Sequence, residues 1–305
     1  MKKHLKSDLL SDIITFKHFE VGEEFSASQF FEYDNDIKRE RFDISNEEQA
    51  KFYGKAIGRY ELLSIPNPLE LDKKQKIDIA NIFVGILKEI IGKITTKDKI
   101  LVVGLGNRHI SADSLGTKVI KNINITFGKK FPKVMAICPS VLGLTGIETY
   151  EIVRGVIDRV KPSHLILLDS LCASDVSRLG RSIQVSNTGL CPGSGIGNKR
   201  KCLDHSLAPN VVSIGVPLLI YASTFLSKTF DEYNITNARI NSIMQSIKNA
   251  PNKECFLKFF QDLKKCLDYN FEDTIVSIKD IEECVEILAD IISKAINISL
   301  GVDFE

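Results

Sequence analysis

LDKKQKIDIANIFVGILKEIIGKI (71–94) spaces its apolar residues three and four apart, a period that predicts an amphipathic helix. KILVVGLG (99–106) breaks that period. It is an unbroken apolar run of strand length ending in glycines, and it predicts a strand buried on both faces. The alternation then repeats. SADSLGTKVIKNI (111–123) predicts a helix with Ser111 as its cap and Asp113 in its first turn. KVMAIC (133–138) predicts a strand, GIETYEIVRGVIDRV (146–160) a helix, and HLILLD (164–169) a third strand that ends at Asp169. SIQVS (182–186) alternates polar with apolar and predicts an edge strand, whereas NVVSIGVPLLIYAS (210–223) contains a further buried one. The chain from about residue 235 is expected to be helical, closing with IKDIEECVEILADIISKAINISL (278–300). Residues 1–60 are charged and weakly periodic.

Strands alternating with helices predict a mostly parallel sheet covered on both faces: an α/β fold with helical C-terminal additions. No internal repeat or low-complexity linker divides the 305 residues, so one domain is expected. Open α/β sheets hold their chemistry beyond the carboxyl ends of the strands. That rule selects Gly104–Asp113, Asp169 with its following turn, and the loop NTGLCPGSGIGNKRK (187–201).

Composition narrows the function classes. Apolar residues make up 44% of the chain, enough for a substantial core, and 40 Lys and Arg face 39 Asp and Glu. Balanced charge supplies no global field to draw DNA or an anionic membrane. Asp8 and Asp12 interrupt the apolar residues of MKKHLKSDLLSDIITF, so no signal-peptide core survives. No run reaches the roughly 18 apolar residues of a membrane span. A cytoplasmic protein is expected, with no membrane or direct nucleic-acid partner. The seven cysteines include no C-x-x-C pair, which argues against a metal site and leaves them as reduced core residues. No cofactor is expected.

The loop at 187–201 fails as a nucleotide cradle. A phosphate-binding loop needs G-x-x-x-x-G-K-[ST], but Asn198 separates Gly197 from Lys199, and Arg200 stands in the hydroxyl position. The pattern G-x-G-x-x-G is absent, and no aromatic lies beside NKRK to stack a base. A glycine-rich loop and two strand-end aspartates remain. Asp113 has a simpler reading as charge stabilisation at a helix N-terminus, worth about 0.3–1 kcal/mol. Asp169 has one as a turn former, although a buried unpaired carboxylate at that place is costly.

Several longer runs carry more information. They are KAIGRY (55–60), LVVGLGN (101–107) with the following Asp113-Ser-Leu-Gly116, and VLGLTGIETYEI (141–152). LILLDSL (165–171), IQVSNTGLCPGSGIGNKRK (183–201) and SIGVPLLI (213–220) complete the set. Together they resemble the germination proteases of endospore-forming bacteria. The resemblance implies a three-layer α/β/α architecture similar to hydrogenase maturation proteases. It further implies an aspartic-type endopeptidase, acting through Asp113 and Asp169, that degrades small acid-soluble spore proteins in the spore core. A homotetramer and a zymogen that shortens its own N-terminus are part of the same expectation. Gly193, Gly195 and Gly197 would bring backbone close to an extended substrate. Lys199 and Arg200 would pair with acidic side chains beside the cleaved bond, or with the sheet.

KSDLLSD (6–12) resembles the family's processing site. The cut then falls between Asp8 and Leu9, leaving 1–8 as a mobile propeptide and 9–305 as the peptidase domain. EEFSASQF (23–30) has the same character and is the alternative site. The chain departs from the family's usual residues at Asn187 (for Asp), Cys191 (for His), Ser140 (for Gly), and Ala112 and Thr117 (for Pro). Two rival readings stay open: a cysteine peptidase using Cys172 or Cys191 with His109 as base, and a non-cleaving relative that binds spore proteins, to which Asn187 points.

Overall fold

In the computed structural model, which describes residues 7–14, 28–191, 201–225 and 274–303, the apolar runs form the centre of a mixed sheet. Strands β4 (Lys99–Gly104), β5 (Lys133–Ile137), β6 (His164–Ala173) and β8 (Asn210–Tyr221) lie parallel in the order β8-β6-β4-β5. Ile100–Val103 and Leu165–Leu168 are fully buried, which is why these strands show no polar alternation. The rest of the sheet is antiparallel. β1 (Ser28–Glu32), β2 (Lys38–Ile44), β3 (Gly58–Ser64) and β7 (Ser182–Ser186) extend it outward from β8 in the order β7, β3, β2, β1. Short β9 (Ile275–Val276) also pairs with β8.

Two expectations are corrected here. β7 is an internal strand between β3 and β8, not an edge. Its polar positions are absorbed inside: Ser186 shares a 2.8 Å hydrogen bond with Ser213, and Gln184 faces a cavity. The weakly periodic first 60 residues also contain β1, β2 and the start of β3, because ion pairs occupy positions where apolar residues would have signalled a sheet. Arg41 stands directly opposite Glu61 and donates to it at 2.7 Å, while Arg39 donates to Glu61 at 2.9 and 3.0 Å. Glu89, on the neighbouring helix, accepts from both arginines.

Among the described residues, besides short helical stretches at 10–14 and 222–225, the helices are α1 (Glu47–Tyr53), α2 (Lys73–Ile91), α3 (Leu115–Lys121), α4 (Leu142–Thr145), α5 (Thr149–Val160) and α6 (Ile281–Ser299). Asp72 and Gln75 open α2 with a reciprocal capping box. Phe83 and Leu87 of α2, Val119 of α3, and Leu288 and Ile292 of α6 pack on Ile100, Val102, Ile166 and Leu168. Val153 and Ile157 of α5 cover Leu101, Val103, Leu165 and Leu167 on the opposite face. The result is three layers, helix on sheet on helix.

The helix expected from residue 111 starts instead at Leu115, behind a 3-10 turn at Ser111–Asp113. Ser111 does not cap it; the Ser111 carbonyl accepts from the Ser114 hydroxyl at 2.9 Å. β6 runs four residues beyond Asp169 to Ala173, so that aspartate lies within the strand rather than ending it. The helical tail expected from 235 is described only from 274, where α6 matches the prediction.

The N-terminal segment, expected to be mobile, packs on the sheet. Residues 10–14 are helical, and Leu9, Leu10 and Ile14 are buried with Phe42, Tyr60, Leu62, Leu171 and Ile220. Full burial of a leucine contributes roughly 1.5–3 kcal/mol, so Leu9 and Leu10 are a substantial anchor. Of the alternative processing stretch, residues 28–30 begin β1 and the others lie outside the described residues.

The ion-pair cluster yields a stability prediction. Burial pulls the Arg39 pKa down, but its bonds to Glu61 and Glu89 outweigh that and raise it. Glu61→Ala leaves the buried Arg39 with only the half-exposed Glu89 as its partner and should lower unfolding free energy by about 3 kcal/mol, the low end for breaking a buried pair. Glu89 is 44% exposed, so Glu89→Ala should cost about 1 kcal/mol or less. Urea unfolding of both variants checks this; equal losses would show that the internal pair does not hold the antiparallel half.

Candidate active site

Asp169 occupies a gap in an apolar surface. Along β6 the side chains alternate, so Leu165, Leu167, Asp169, Leu171 and Ala173 share one face. Leu165 and Leu167 belong to the cluster under α5, and Leu171 and Ala173 to the cluster holding Leu9 and Leu10. Asp169 sits between the two. Neighbouring strands place Leu62, Gln184, Gly215 and Asp169 in one row across the sheet. Gly215 contributes no side chain, and a Cβ there would meet the Leu171 side chain at 2.5 Å. The opening is a cavity of about 690 Å³ lined by Asp113, Asp169, Lys55 and Gln184, among others.

Asp113 reaches the cavity from the turn after β4. The Asn107 backbone N–H donates to its Oδ2 at 2.8 Å, closing the loop between them. Gly106 has φ +99°, and a Cβ there would collide with the Asp113 carbonyl and lie 2.9 Å from its Oδ1. The loop can therefore fold this tightly only with glycine at 106.

The environment keeps both carboxyls reluctant to ionise. Burial raises the Asp113 pKa to about 6, partly offset by the Asn107 hydrogen bond. Asp169 is raised well above the usual carboxylate range by burial first, then by the negative charges of Asp113 and Asp8, with the Ser170 N–H opposing. Both carboxyls are thus displaced toward the protonated form, and the two titrate as a coupled pair.

The N-terminal segment lies in this cavity, which Ser7, Asp8 and Ile13 help to line. The Asp8 N–H donates to the Cys172 carbonyl at 2.8 Å, and the Cys172 N–H donates to Asp8 Oδ2 at 3.0 Å. Lys55 Nζ donates to the Asp8 carbonyl at 2.8 Å, with Gln184 Nε2 at 3.4 Å from the same oxygen. Asp12 accepts from the backbone and hydroxyl of Ser174 at 2.7 and 2.9 Å. The structure thus brings Asp113, Asp169 and Asp8 together, with Leu9 fully buried beside them. Gly193, Gly195, Gly197, Lys199 and Arg200 lie outside the described residues. Lys55 and Gln184 were not singled out from sequence, although Lys55 lies within KAIGRY and Gln184 is a polar residue inside a strand.

The cysteine expectations need correction. Cys191 and Cys202, both on the cavity wall, form a disulfide, so they are not reduced core residues and Cys191 offers no nucleophilic thiol. Cys172 and Cys284 are buried free thiols, and Cys138 is exposed. Cys172 donates to the Ala173 carbonyl, while His109 is exposed, accepts from Arg108 at 3.3 Å, and is not among the cavity-lining residues. Asn187 is not among them either. Its side-chain oxygen accepts the Arg59 N–H at 2.8 Å, a bond an aspartate would make equally well. Ser140 adopts φ +65°, a conformation in which glycine carries no steric cost. Among the described residues no three His, Cys, Asp or Glu cluster as metal ligands, and no helix is long and apolar enough to cross a membrane.

The raised pKa of Asp113 has a stability consequence. The folded protein binds this proton more tightly than the unfolded chain. The resulting stability is present below about pH 4 and is lost as pH rises through about 6. Asp113→Asn removes that loss. Its stability relative to the parent should therefore grow by about 3 kcal/mol between pH 4 and pH 7.5, read from denaturant midpoints. A pH-independent difference would show that Asp113 is not desolvated.

A family model described as germination protease matches residues 29–239. A germination protease of Caldanaerobacter subterraneus subsp. tengcongensis is 34% identical over 285 residues, covering 87% of this chain and 85% of that protein. A germination protease of Clostridium perfringens is 34% identical over 281 residues, covering 88% and 85% respectively. Among solved structures, the NiFe hydrogenase maturation protease HycI from Thermococcus kodakarensis aligns with 70% of this chain and 99% of its own, at 15% identity and a TM-score of 0.36. With a family match across most of its length and relatives aligned over most of theirs, this chain belongs to the germination protease family, a family of peptidases.

Proposed function

We propose that the chain is an aspartic-type endopeptidase of spore germination whose Asp113 and Asp169 activate water, and whose substrates are small acid-soluble spore proteins. It is made as a zymogen that cuts itself between Asp8 and Leu9, leaving 9–305 as the peptidase domain, and it works as a homotetramer in the cytoplasm of the spore core. One observation carries this reading: two carboxyls from different elements share a cavity with the chain's own N-terminal segment, and the charges of Asp113 and Asp8 both act on Asp169.

The surroundings of the two carboxyls suggest the roles, Asp169 lying within a strand between apolar clusters and Asp113 in a loop closed by a backbone N–H. Asp113, with its pKa of about 6, is ionised near neutral pH and takes a proton from water as the water attacks the peptide carbonyl. Asp169 keeps its proton, hydrogen-bonds the carbonyl oxygen, and gives that proton to the leaving amine. The acidic residue preceding the bond is recognised as Asp8 is here, by the Cys172 N–H. Lys199 and Arg200 remain candidates for a second contact to acidic side chains, and Gly193, Gly195 and Gly197 for backbone contacts to substrate.

Asp113→Asn and Asp169→Asn should each lower turnover of an acid-soluble spore protein by about 100-fold or more, with the fold retained. Mass spectrometry of the incubated parent should show a product beginning at Leu9 that neither variant forms. Activity should persist in EDTA and in the Cys172→Ser variant. A shortened product appearing equally in parent and Asp113→Asn would mean that another protease makes the cut. Aspartate variants with parent-like turnover would sink the paired mechanism.

A further inference from the structure

The bound N-terminal segment marks how a peptide main chain lies in the cavity. Besides the Asp8 carboxylate and the buried leucine side chains, four hydrogen bonds from Asp8 to Leu10 involve the segment's backbone, which is common to every peptide. The Asp8 N–H reaches the Cys172 carbonyl at 2.8 Å, and the Leu10 N–H reaches Gln184 Oε1 at 2.8 Å. Between them, the Asp8 carbonyl oxygen receives Lys55 Nζ at 2.8 Å and Gln184 Nε2 at 3.4 Å. Gln184 therefore reads a donor and an acceptor of the same backbone with the two ends of one amide. Its flipped rotamer would oppose like groups at both.

The carbonyl so held belongs to Asp8–Leu9, the bond that the resemblance to the family selects as the processing site. Gln184 and Asp169 lie in one row of the sheet with only Gly215 between them, so this carbonyl is held in the same cavity as the carboxyl pair, two strands along the row from Asp169. Lys55 is half-buried; burial lowers its pKa and the Asp8 charge works against that.

We propose that Lys55 and Gln184 form the oxyanion site of this peptidase, and that a substrate's scissile carbonyl oxygen takes the place that the Asp8 carbonyl oxygen holds in the structure. The assignment rests on the paired-aspartate reading above. In the attack, a bond forms from water oxygen to carbonyl carbon, the carbonyl π pair moves to oxygen, and Asp113 takes a water proton. The charge gathering on oxygen faces the Lys55 ammonium and the Gln184 N–H, donors already placed at that oxygen before the charge develops. When that pair returns, the C–N bond breaks and the Asp169 proton goes to the departing nitrogen.

The alternative role for Lys55 is anchoring the N-terminal segment, and the full-length chain separates the two by opposite signs. Lys55→Met keeps the aliphatic stem and removes the charge. An oxyanion role requires both the rate of self-shortening and kcat on an added acid-soluble spore protein to fall by about 100-fold, with KM within about threefold of the parent. An anchoring role releases the segment, so turnover of the added protein stays level or rises. That result would overturn the proposal. So would a loss confined to KM.

Gln184→Glu, nearly isosteric, gives a second reading if Lys55→Met fails to show a thermal unfolding transition. It puts an acceptor where the donor stood and should lower kcat by about tenfold or more; parent-like kcat would again overturn the proposal. Asp113→Asn and Asp169→Asn are run alongside. Inactive aspartate variants beside an active Lys55→Met would defeat the oxyanion site alone. Active aspartate variants beside an inactive Lys55→Met would defeat the carboxyl pair and leave the oxyanion site standing.

Discussion

At Gly116 the first turn of α3 comes so near the sheet that a Cβ would lie 2.6 Å from both the nitrogen and the oxygen of Leu105, and 2.7 Å from the Leu168 carbonyl oxygen. Gly104 is as close on the other side, where a Cβ would meet the Gly116 carbonyl carbon at 2.6 Å. Backbone therefore packs directly on backbone where β4 ends, and the Leu105 N–H bonds the Leu168 carbonyl at 2.8 Å. That contact sets the turn carrying Asp113 against the strand carrying Asp169. A side chain at either glycine would push the two apart, and the coupling of the carboxyls depends on their separation.

Desolvation then does what proximity alone would not. Asp169 lies on a face where its neighbours along the strand belong to two apolar clusters, so little of its environment can stabilise a charge. Asp113 is raised too, to about 6, with the Asn107 N–H opposing the shift as the Ser170 N–H does at Asp169. Two chemically identical side chains thus sit in different surroundings, a strand between apolar clusters and a tight loop, an asymmetry that general acid–base chemistry can use.

The N-terminal segment joins the packing problem to the chemical one. Leu9 and Leu10 complete an apolar cluster under the antiparallel half of the sheet, and the residue before them places its backbone and carboxylate in the cavity. The energy that holds the segment comes from the leucines, while its position relative to the carboxyls comes from Cys172, Lys55 and Gln184. The Cys191–Cys202 disulfide borders the same cavity and ties together the two ends of the glycine-rich, basic stretch.

The order of helices and strands from Leu71 to Tyr221 was legible in the sequence because apolar periodicity is a local property, and burial on both faces leaves an unmistakable run in β4, β6 and β8. Asp113 and Asp169 stood out locally as carboxylates at the ends of apolar runs, but their pairing, and the choice of Asp8 and Leu9, came from the resemblance of longer runs to the germination proteases. The antiparallel half was not legible, since Arg39, Arg41 and Glu61 satisfy one another across strands, and such compensation appears only once the strands are paired. Nor were Lys55 and Gln184, more than a hundred residues apart, or the bond between Cys191 and Cys202. Sequence by itself determined the strands from β4 to β8 and which residues could carry the chemistry. Tertiary structure alone decided which of them meet and at what proton affinity, because distance and desolvation belong to the folded chain and not to any stretch of it.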